Sequence, residues 1–283
     1  MNKKISQKLG FAFLMASILV TIFFLGSVVY FISIRGCGAI SWEFLTQLPR
    51  DGMTKGGIAP AIIGTVYLTS GAVLFAFPLG IACAVYLCEY SPKNVTVNII
   101  RASINNLAGV PSVVFGLFGL AVFVKFFGFG VSILSGSLTL AMMILPGIIS
   151  TAQESLFAVP QSLREASLAL GASHWQTVKK IIIPTALPGM LTGVILSVGR
   201  AAGETAPILF TAATFYTRLY PRSIFSEVMA LPYHIYALMT EGTNPVEQAR
   251  IAYGCAFILL IFVLAISAVA IIIRQRQRGV YVS

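Results

Sequence analysis

Apolar residues occur in this chain as long runs, and polar residues are concentrated in the segments between the runs. A helix needs about 20 mostly apolar residues to cross a hydrocarbon core about 30 Å thick. The third run begins irregularly, because Asn105, Asn106 and Pro111 crowd its start and proline kinks helices. The pattern predicts an all-α polytopic membrane protein with six transmembrane helices, at residues 11–34, 61–88, 107–124, 131–152, 188–210 and 251–273.

The composition agrees with this pattern. The 283 residues are 57% hydrophobic and 10% charged, which is outside the usual balance of a soluble globular domain. The net charge of +10 raises nucleic-acid binding as an alternative. We exclude it because the basic residues punctuate apolar runs instead of clustering on a solvated surface. The four scattered cysteines predict neither a disulfide framework nor a metal site.

Lysine and arginine are distributed unevenly among the connecting segments, most clearly in "NKK" near the start and "RQRQR" near the end. The positive-inside rule therefore predicts that both termini are cytoplasmic. The first run is too long for the apolar region of a signal peptide, and we interpret it as a retained anchor. This divides the chain into residues 1–55, an N-terminal anchor with an external loop, and residues 56–283, which contain the other five spans and a cytoplasmic loop at about 153–187.

The cytoplasmic loop has a helical pattern of its own. Apolar residues recur at near-helical spacing from Leu163 to Leu170, and Gly171 then supplies a helix-ending residue. We expect a short amphipathic helix outside the bilayer, which docks into a groove of another protein or, alternatively, lies against lipid. A second helical stretch, at about 174–183, is expected to stop at Pro184.

The spacing of "EAS" at 165–167, Gly171 and "IIIP" at 181–184 resembles the "EAA---G---------I-LP" motif of permease subunits of binding-protein-dependent ABC importers. Ser167 replaces the second alanine and Ile183 replaces the leucine. The resemblance implies a type I (MetI-like) permease core over residues 56–283. It also implies that Glu165, Ala166 and Gly171 belong to a coupling helix that seats in a cleft of an ATPase subunit, with Glu165 contacting the ATPase.

The fifth run carries two charges, Arg200 and Glu204, four residues apart. Arg200 falls near its midpoint, where insertion scales assign about 2.5–3.5 kcal/mol to an arginine. We therefore expect it to face a protein or water-filled interior, with Glu204 within pairing reach on the same helix face. A structural ion pair is one interpretation. We favour another, in which Arg200 attracts a tetrahedral oxyanion in transit while Glu204 holds the guanidinium and keeps the anion from binding too tightly.

Two pairs of glycines flank this feature, Gly189 with Gly193 and Gly199 with Gly203. Glycines at this spacing allow two helices to approach closely, so both pairs are predicted to pack against another helix. Pro207 is expected to bend the segment beyond the charged pair.

The stretches "GRAAGETAP" and "ALPYHIY" resemble permease subunits of the high-affinity phosphate importer, the PstA type. The resemblance implies phosphate as the substrate, Arg200 and Glu204 on its path, and a place in the bacterial inner membrane. It implies as partners a related permease subunit (PstC type), two ATPase subunits (PstB type), a phosphate-binding protein (PstS type) and membrane lipid.

The sequence assigns no chemistry to this chain itself. No P-loop of the form G-x-x-x-x-G-K-[ST] is present, so ATP and Mg²⁺ are expected on the partner ATPase, and no cofactor on this chain. No hydrolytic constellation is evident, so we expect a transporter subunit and not an enzyme. The charge spacing alone also allows sulfate or molybdate, and a proton-coupled secondary transporter in which Glu204 takes up a proton is a further alternative.

Overall fold

The computed structural model describes residues 3–92, 94–217, 220–242 and 244–281. Two-residue strands at Pro49–Arg50 and Lys55–Gly56 form a small antiparallel hairpin. The elements, in chain order, are α1 (Lys3–Cys37), α2 (Trp42–Thr46), β1 (Pro49–Arg50), β2 (Lys55–Gly56), α3 (Ala59–Val85), α4 (Val95–Leu107), α5 (Ser112–Gly119), α6 (Ile133–Phe157), α7 (Gln161–Ala169), α8 (His174–Thr177), α9 (Ile183–Gly203), α10 (Ala206–Thr211), α11 (Leu231–Thr240) and α12 (Pro245–Tyr281).

Three of these helices continue through wider π-helical turns. Such turns extend α3 through Tyr86–Tyr90, extend α5 through Leu120–Phe126, and join α8 to α9 through Val178–Ile182. Within the described residues, five helical segments are long and apolar enough to cross a membrane, and α4 with α5 would form a sixth. The predicted all-α polytopic fold is therefore confirmed, with five or six spans.

The prediction of one straight third span was wrong. The axes of α4 and the extended α5 differ in direction by 103°. Asn94 is the N-cap of α4, and its Oδ1 accepts a hydrogen bond from the Val97 amide at 2.9 Å. Gly109 and Pro111 follow the end of α4, and the residue before a proline is disfavoured in helical conformation. The polar residues that seemed to crowd the start of a span therefore belong to a separate amphipathic helix.

The fifth span is also displaced from its predicted position. Its helix runs without a break from His174 to Gly203 and does not stop at Pro184. In the π-helical turn before this proline, the Ile183 amide donates to the Val178 carbonyl, five residues back. The wider turn accommodates the proline ring, which would clash with a carbonyl in a regular helix. Much of the predicted loop at 153–187 is thus helical and belongs to α6 and to the α8–α9 helix.

The centre of the bundle is the contact between α3 and α6. Both helices place small residues at this contact, so their backbones approach closely. Gly80 lies where a Cβ atom would be 2.6 Å from Ile148 Cγ2, and a Cβ at Gly71 would overlap the Ser137 side chain. Large side chains, among them Leu68, fill the space beside these contacts.

Two further apolar clusters lie at opposite ends of the bundle. One contains Leu87, Leu156 and Ile182 and adjoins α7; we name this the α7 end. The other contains Phe44 and Met229 and adjoins the β1–β2 hairpin; we name this the hairpin end. Because α3 begins at the hairpin end and finishes at the α7 end, it connects all three clusters.

The helix α1 lies on the outside of this bundle. It packs near its C-terminal end against α12, where the rings of Phe31 and Tyr253 are 5.7 Å apart. The guanidinium of Arg35 lies over the Phe31 ring, 4.4 Å from its centroid. From Gly10 to Cys37 the helix is almost entirely exposed, and only Gly36 is buried, against Tyr253 and Phe257 of α12. This exposed surface is suited to lipid or to a partner helix.

The "ALPYHIY" stretch forms the beginning of α11 and is mostly buried. Thr65 of α3 accepts a hydrogen bond from the Leu231 amide at 2.8 Å, which satisfies one of the free N–H groups at the start of α11. Tyr233 and His234, in the first turn of α11, are buried. Burial lowers the pKa of His234 to about 4, so its ring is neutral at pH 7.

The two glycine pairs of α9 have different surroundings. A Cβ at Gly189 would lie 2.5 Å from Ser155 Oγ, and one at Gly193 would overlap Thr151 Oγ1, so the first pair packs against α6 as predicted. Beside Gly203 a Cβ would have no neighbour within 4 Å among the described residues, and beside Gly199 only an ordinary contact. The prediction for the second pair was wrong within this subunit.

We predict that Gly193→Ala destabilises the subunit by about 1–3 kcal/mol, the usual cost of overpacking. Thr151 cannot easily rotate away, because its Oγ1 donates to the Gly147 carbonyl at 2.9 Å. Thermal unfolding of the purified subunit in detergent measures the effect. Gly199→Ala is the matched control, since its added methyl meets Val263 at an ordinary 3.6 Å. Equal unfolding temperatures for the two variants would contradict the assigned α6–α9 contact.

Candidate functional site

The helical backbone is interrupted at the glutamate of the charged pair. The helix α9 ends at Gly203, Glu204 has an extended backbone (φ −76°, ψ 131°), and α10 begins two residues later. Pro207 lies in the first turn of α10, where its missing N–H costs no helical hydrogen bond. In a continuous helix its ring would clash with the Gly203 carbonyl, four residues back. The predicted bend is therefore a break, and it precedes the proline.

Arg200 and Glu204 form the expected ion pair across this break. Arg200 Nε lies 3.5 Å from Glu204 Oε1. The arginine side chain is 48% exposed and the glutamate side chain 18% exposed. Arg200 lies in the last turn of α9, where the partial negative charge of a helix C-terminus favours a cation. The expected midpoint position was wrong, because the helix begins at His174 and ends at Gly203.

A small cavity adjoins the carboxylate side of the pair. Its volume is about 10 Å³, close to the space that one water molecule needs. Thr65 and Thr69 of α3 line it together with Glu204 and Ala201. The pair therefore lies beside the hairpin-side third of α3, and polar oxygens of two elements surround the break. The two threonines were not singled out from the sequence, since threonine is common in apolar helices.

The predicted coupling segment folds as a helical hairpin, α7–α8, in which α7 packs on α8, the first turn of the continuous helix that ends at Gly203. At the end of α7 the amides of Gly171 and Ala172 donate to the carbonyls of Leu168 and Ser167 at 2.9 and 3.2 Å. This is a Schellman motif, which requires a left-handed residue, and Gly171 has φ +81°. The sequence prediction that α7 ends at this glycine is confirmed.

The second helix of the hairpin has a capping box. The Ser173 amide donates to Gln176 Oε1 at 2.8 Å, and the Gln176 amide donates to Ser173 Oγ at 3.3 Å. Ser167 Oγ and Thr177 Oγ1 are 2.9 Å apart and hold α7 against α8. The hairpin is therefore tied together by local hydrogen bonds.

The outer surface of α7 has no partner among the described residues. No residue of α7 is buried, and Glu165 and Ala166 are both exposed. Leu163 and Leu168 are exposed beside them, and Leu170 is 89% exposed at the turn. An exposed apolar strip with a carboxylate on a short helix is suited to a protein groove.

The inner side of the hairpin contacts a buried carboxylate that sequence reasoning did not select. Glu89 follows the second apolar run, and Arg164 of α7 donates from Nη1 to its Oε1 at 2.5 Å. The signal in the sequence was a lone acidic residue at the edge of an apolar span. Nothing in the sequence, however, indicated that Arg164, 75 residues later, would reach it.

The described residues contain no group of three or more His, Cys, Asp and Glu side chains that is placed to hold a metal ion. The charged side chains that the fold brings together in this region form the ion pairs Arg200–Glu204 and Arg164–Glu89.

Comparison with known proteins supports the same assignment. The family described as binding-protein-dependent transport system inner membrane component matches residues 76–278. The probable ABC transporter permease protein YqgI of Bacillus subtilis (strain 168) is 37% identical over 95% of this chain and 95% of its own length. The phosphate transport system permease protein PstA 1 of Mycobacterium tuberculosis (strain ATCC 25618 / H37Rv) is 33% identical over 97% of this chain and 89% of its own length. The resemblance indicated by the loop motif and by "GRAAGETAP" is confirmed.

Among solved structures, the fold is similar to a chain in the crystal structure of a bacterial ABC transporter involved in the import of the acidic polysaccharide alginate. The TM-score is 0.68, with 15% identity over 97% of this chain and 98% of that one. At this identity the likeness concerns the fold alone. It confirms the predicted fold class, the all-α core of MetI-like permeases.

We predict that Gly171→Ala loosens the α7–α8 turn by about 1–2 kcal/mol, the cost of a left-handed backbone for a residue with a Cβ. No neighbour lies within 4 Å of the added methyl among the described residues, so the cost is purely conformational. Hydrogen exchange of the amides in residues 161–177 should become faster. Gly26→Ala, in an open helical position of α1, should leave this exchange unchanged. Slow exchange in Gly171→Ala would contradict the role of the glycine.

Proposed function

This chain belongs to the family of binding-protein-dependent transport system inner membrane components, and we propose that it is the permease subunit through which an ATP-driven importer carries inorganic phosphate across the cytoplasmic membrane. Its relatives and its fold are those of ABC transporter permeases. The observation that carries the substrate assignment is the half-exposed guanidinium of Arg200, paired with Glu204 at the α9–α10 break. The 33% identity with a phosphate transport system permease supports it.

The chemistry of the pair suits an oxyanion. A guanidinium is planar, always charged, and carries five N–H donors whose geometry matches phosphate oxygens. The contact with Glu204 is made through Nε, and almost half of the side chain is exposed, so the cation has surface left for a second anionic group. Glu204 holds the guanidinium between transport events, and its negative charge limits the affinity for the anion so that the anion can leave.

The exposed face of Arg200 meets water and not lipid in this proposal. Hydrocarbon is an unfavourable environment for an exposed guanidinium, and an exposed ion pair contributes only about 0–1 kcal/mol. The ion pair alone therefore does not offset exposure to hydrocarbon. A water-filled passage between this chain and a related permease subunit of the PstC type removes the cost.

The hairpin α7–α8 is the contact for the ATPase. Its exposed strip, with Glu165 and Ala166, docks into a cleft of one of two PstB-type subunits, which hold the ATP and Mg²⁺. This orientation places the α7 end and both termini in the cytoplasm and the hairpin end outside, where a PstS-type binding protein delivers phosphate. ATP-driven closure of the two ATPase subunits then rocks the bundle between outward and inward access.

Two alternatives make different predictions for the same pair. A permease for sulfate or molybdate would use Arg200 in the same way, and the oxyanion that stimulates ATP hydrolysis in the assembled complex distinguishes the three substrates. A proton-coupled secondary transporter would use Glu204 as a proton carrier and would work without an ATPase.

We predict that Arg200→Gln lowers ATP-dependent phosphate uptake in proteoliposomes at least about tenfold, because a hydrogen bond to a charged group contributes about 1.5–3 kcal/mol. Arg200→Lys, which keeps the charge but loses the planar donors, should be intermediate. Assembly should persist, since the pair contributes little to stability. Arg35→Gln is the control, since Arg35 lies at the far end of α1 beside aromatic rings. Gradient-driven uptake without an ATPase would refute the proposal.

We predict that Glu165→Lys detaches or uncouples the ATPase subunits, because it places a cation on the docking face of α7. Co-purification of the ATPase and ATP-driven uptake measure the two effects. Glu43→Lys makes the same charge change on an exposed helix at the opposite, hairpin end and should leave co-purification of the ATPase unchanged. Normal uptake with Glu165→Lys would mean that α7 is not the coupling helix.

A further inference from the structure

A carboxylate at the α7 end is buried beneath the coupling hairpin. Glu89 lies in the π-helical turn that extends α3, and its side chain is 5% exposed. Arg164 Nη1 donates to Glu89 Oε1 at 2.5 Å, and Arg164 Nη2 donates to the Leu156 carbonyl at 2.8 Å. One arginine of α7 thus connects the final turns of α3 and α6.

The same carboxylate faces the second helix of the hairpin. His174, the first residue of α8, places Nε2 4.0 Å from Glu89 Oε2. Its ring meets the Tyr90 ring edge to face, with centroids 5.0 Å apart. Both oxygens of Glu89 therefore face the α7–α8 hairpin, one toward each helix.

Burial makes this connection rigid. A carboxylate out of water requires a cationic partner, and removing that partner leaves an uncompensated charge. If the hairpin separates from α3, it loses the charge-assisted hydrogen bond of Arg164 to Glu89, and the contact of His174 with the same carboxylate is lost as well. The outer face of α7, which is the proposed contact with the ATPase, is exposed, whereas Arg164 and Glu89 lie on its inner side.

The helix α3 leads from Glu89 to the charged pair. Its turns near the hairpin end contribute Thr65 and Thr69 to the cavity beside Glu204, and Thr65 also holds the start of α11. The α8–α9 helix leads to Arg200 by a second path. Access at the pair changes in a concerted way only if α3 and α9 follow the hairpin together.

We propose that Glu89 and Arg164 are positioning residues that make the α7–α8 hairpin and the end of α3 move as one body. A displacement of α7 then reaches both sides of the Arg200–Glu204 break, through α9 and through α3. The inference rests on the proposed function in taking α7 as the ATPase contact, and it does not depend on which anion is carried.

The first test is the stoichiometry of transport in the assembled, reconstituted complex. In Arg164→Gln and Glu89→Gln, the ATP hydrolysed per phosphate taken up should rise at least about fivefold, the lower range of a typical coupling between sites. A merely structural role would reduce the amount of complex without changing this ratio. Arg101→Gln is the matched control, because Arg101 donates to the Leu87 carbonyl in the same π-helical turn and belongs to α4. Its ratio should remain that of the wild type.

The second test does not depend on the substrate. Spin labels at Tyr86 and Gln161, both exposed and outside the apolar strip of α7, report the separation of α3 from α7 in the full complex. The separation should be the same without nucleotide and with ATP and vanadate in the wild type, and should change with nucleotide in Arg164→Gln. If that variant fails to assemble, Arg164→Lys replaces it, since lysine cannot bond Glu89 and the Leu156 carbonyl with a fixed fork.

The outcomes separate the two proposals. A wild-type complex that hydrolyses ATP without taking up phosphate refutes the proposed substrate, while the label distances still decide the link. Wild-type uptake of phosphate with unchanged stoichiometry and constant label distances in both variants refutes the link alone. A label separation that changes with nucleotide in the wild type also refutes it.

Discussion

The high cost of leaving charges and free backbone groups in hydrocarbon is the constraint on which the rest of this structure depends. The chain carries few charges, and the described residues place two pairs where the helical backbone departs from regular geometry. Arg200 and Glu204 flank the end of α9, and Glu89 lies in the π-helical turn of α3 opposite Arg164. Both carboxylates, Glu89 and Glu204, thus lie in backbone that is not regular α-helix and are paired with an arginine.

The two charged pairs lie at different levels of one bundle and have different exposure. In the Arg164–Glu89 pair the side chains are 18% and 5% exposed. In the Arg200–Glu204 pair they are 48% and 18% exposed. The buried pair connects three helices through charge-assisted hydrogen bonds of Arg164 to Glu89 and to the Leu156 carbonyl, and this suits a mechanical connection. An exposed pair exchanges partners readily, and this suits the transient binding of an anion.

The continuous helix from His174 to Gly203 relates these levels. It has 30 residues and is therefore about 45 Å long. It begins at the coupling hairpin and ends at the arginine, so the segment proposed to contact the ATPase and the segment proposed to contact the anion are parts of one rigid element. Close packing of Gly189 and Gly193 on α6 holds this element against the centre of the bundle.

The sequence by itself determined the all-α membrane fold, the helix that ends at Gly171, and the pairing of Arg200 with Glu204, because each depends on residues within one or two turns of each other. It did not determine where the fifth helix begins, since passage through Pro184 depends on a π-helical turn that has no composition signal. It also did not reveal Glu89 opposite Arg164, whose contact exists only once α3, α6 and α7 have packed. Local periodicity can be read from the sequence because it involves neighbouring residues. The partner of a buried charge depends on packing between segments that are far apart in sequence.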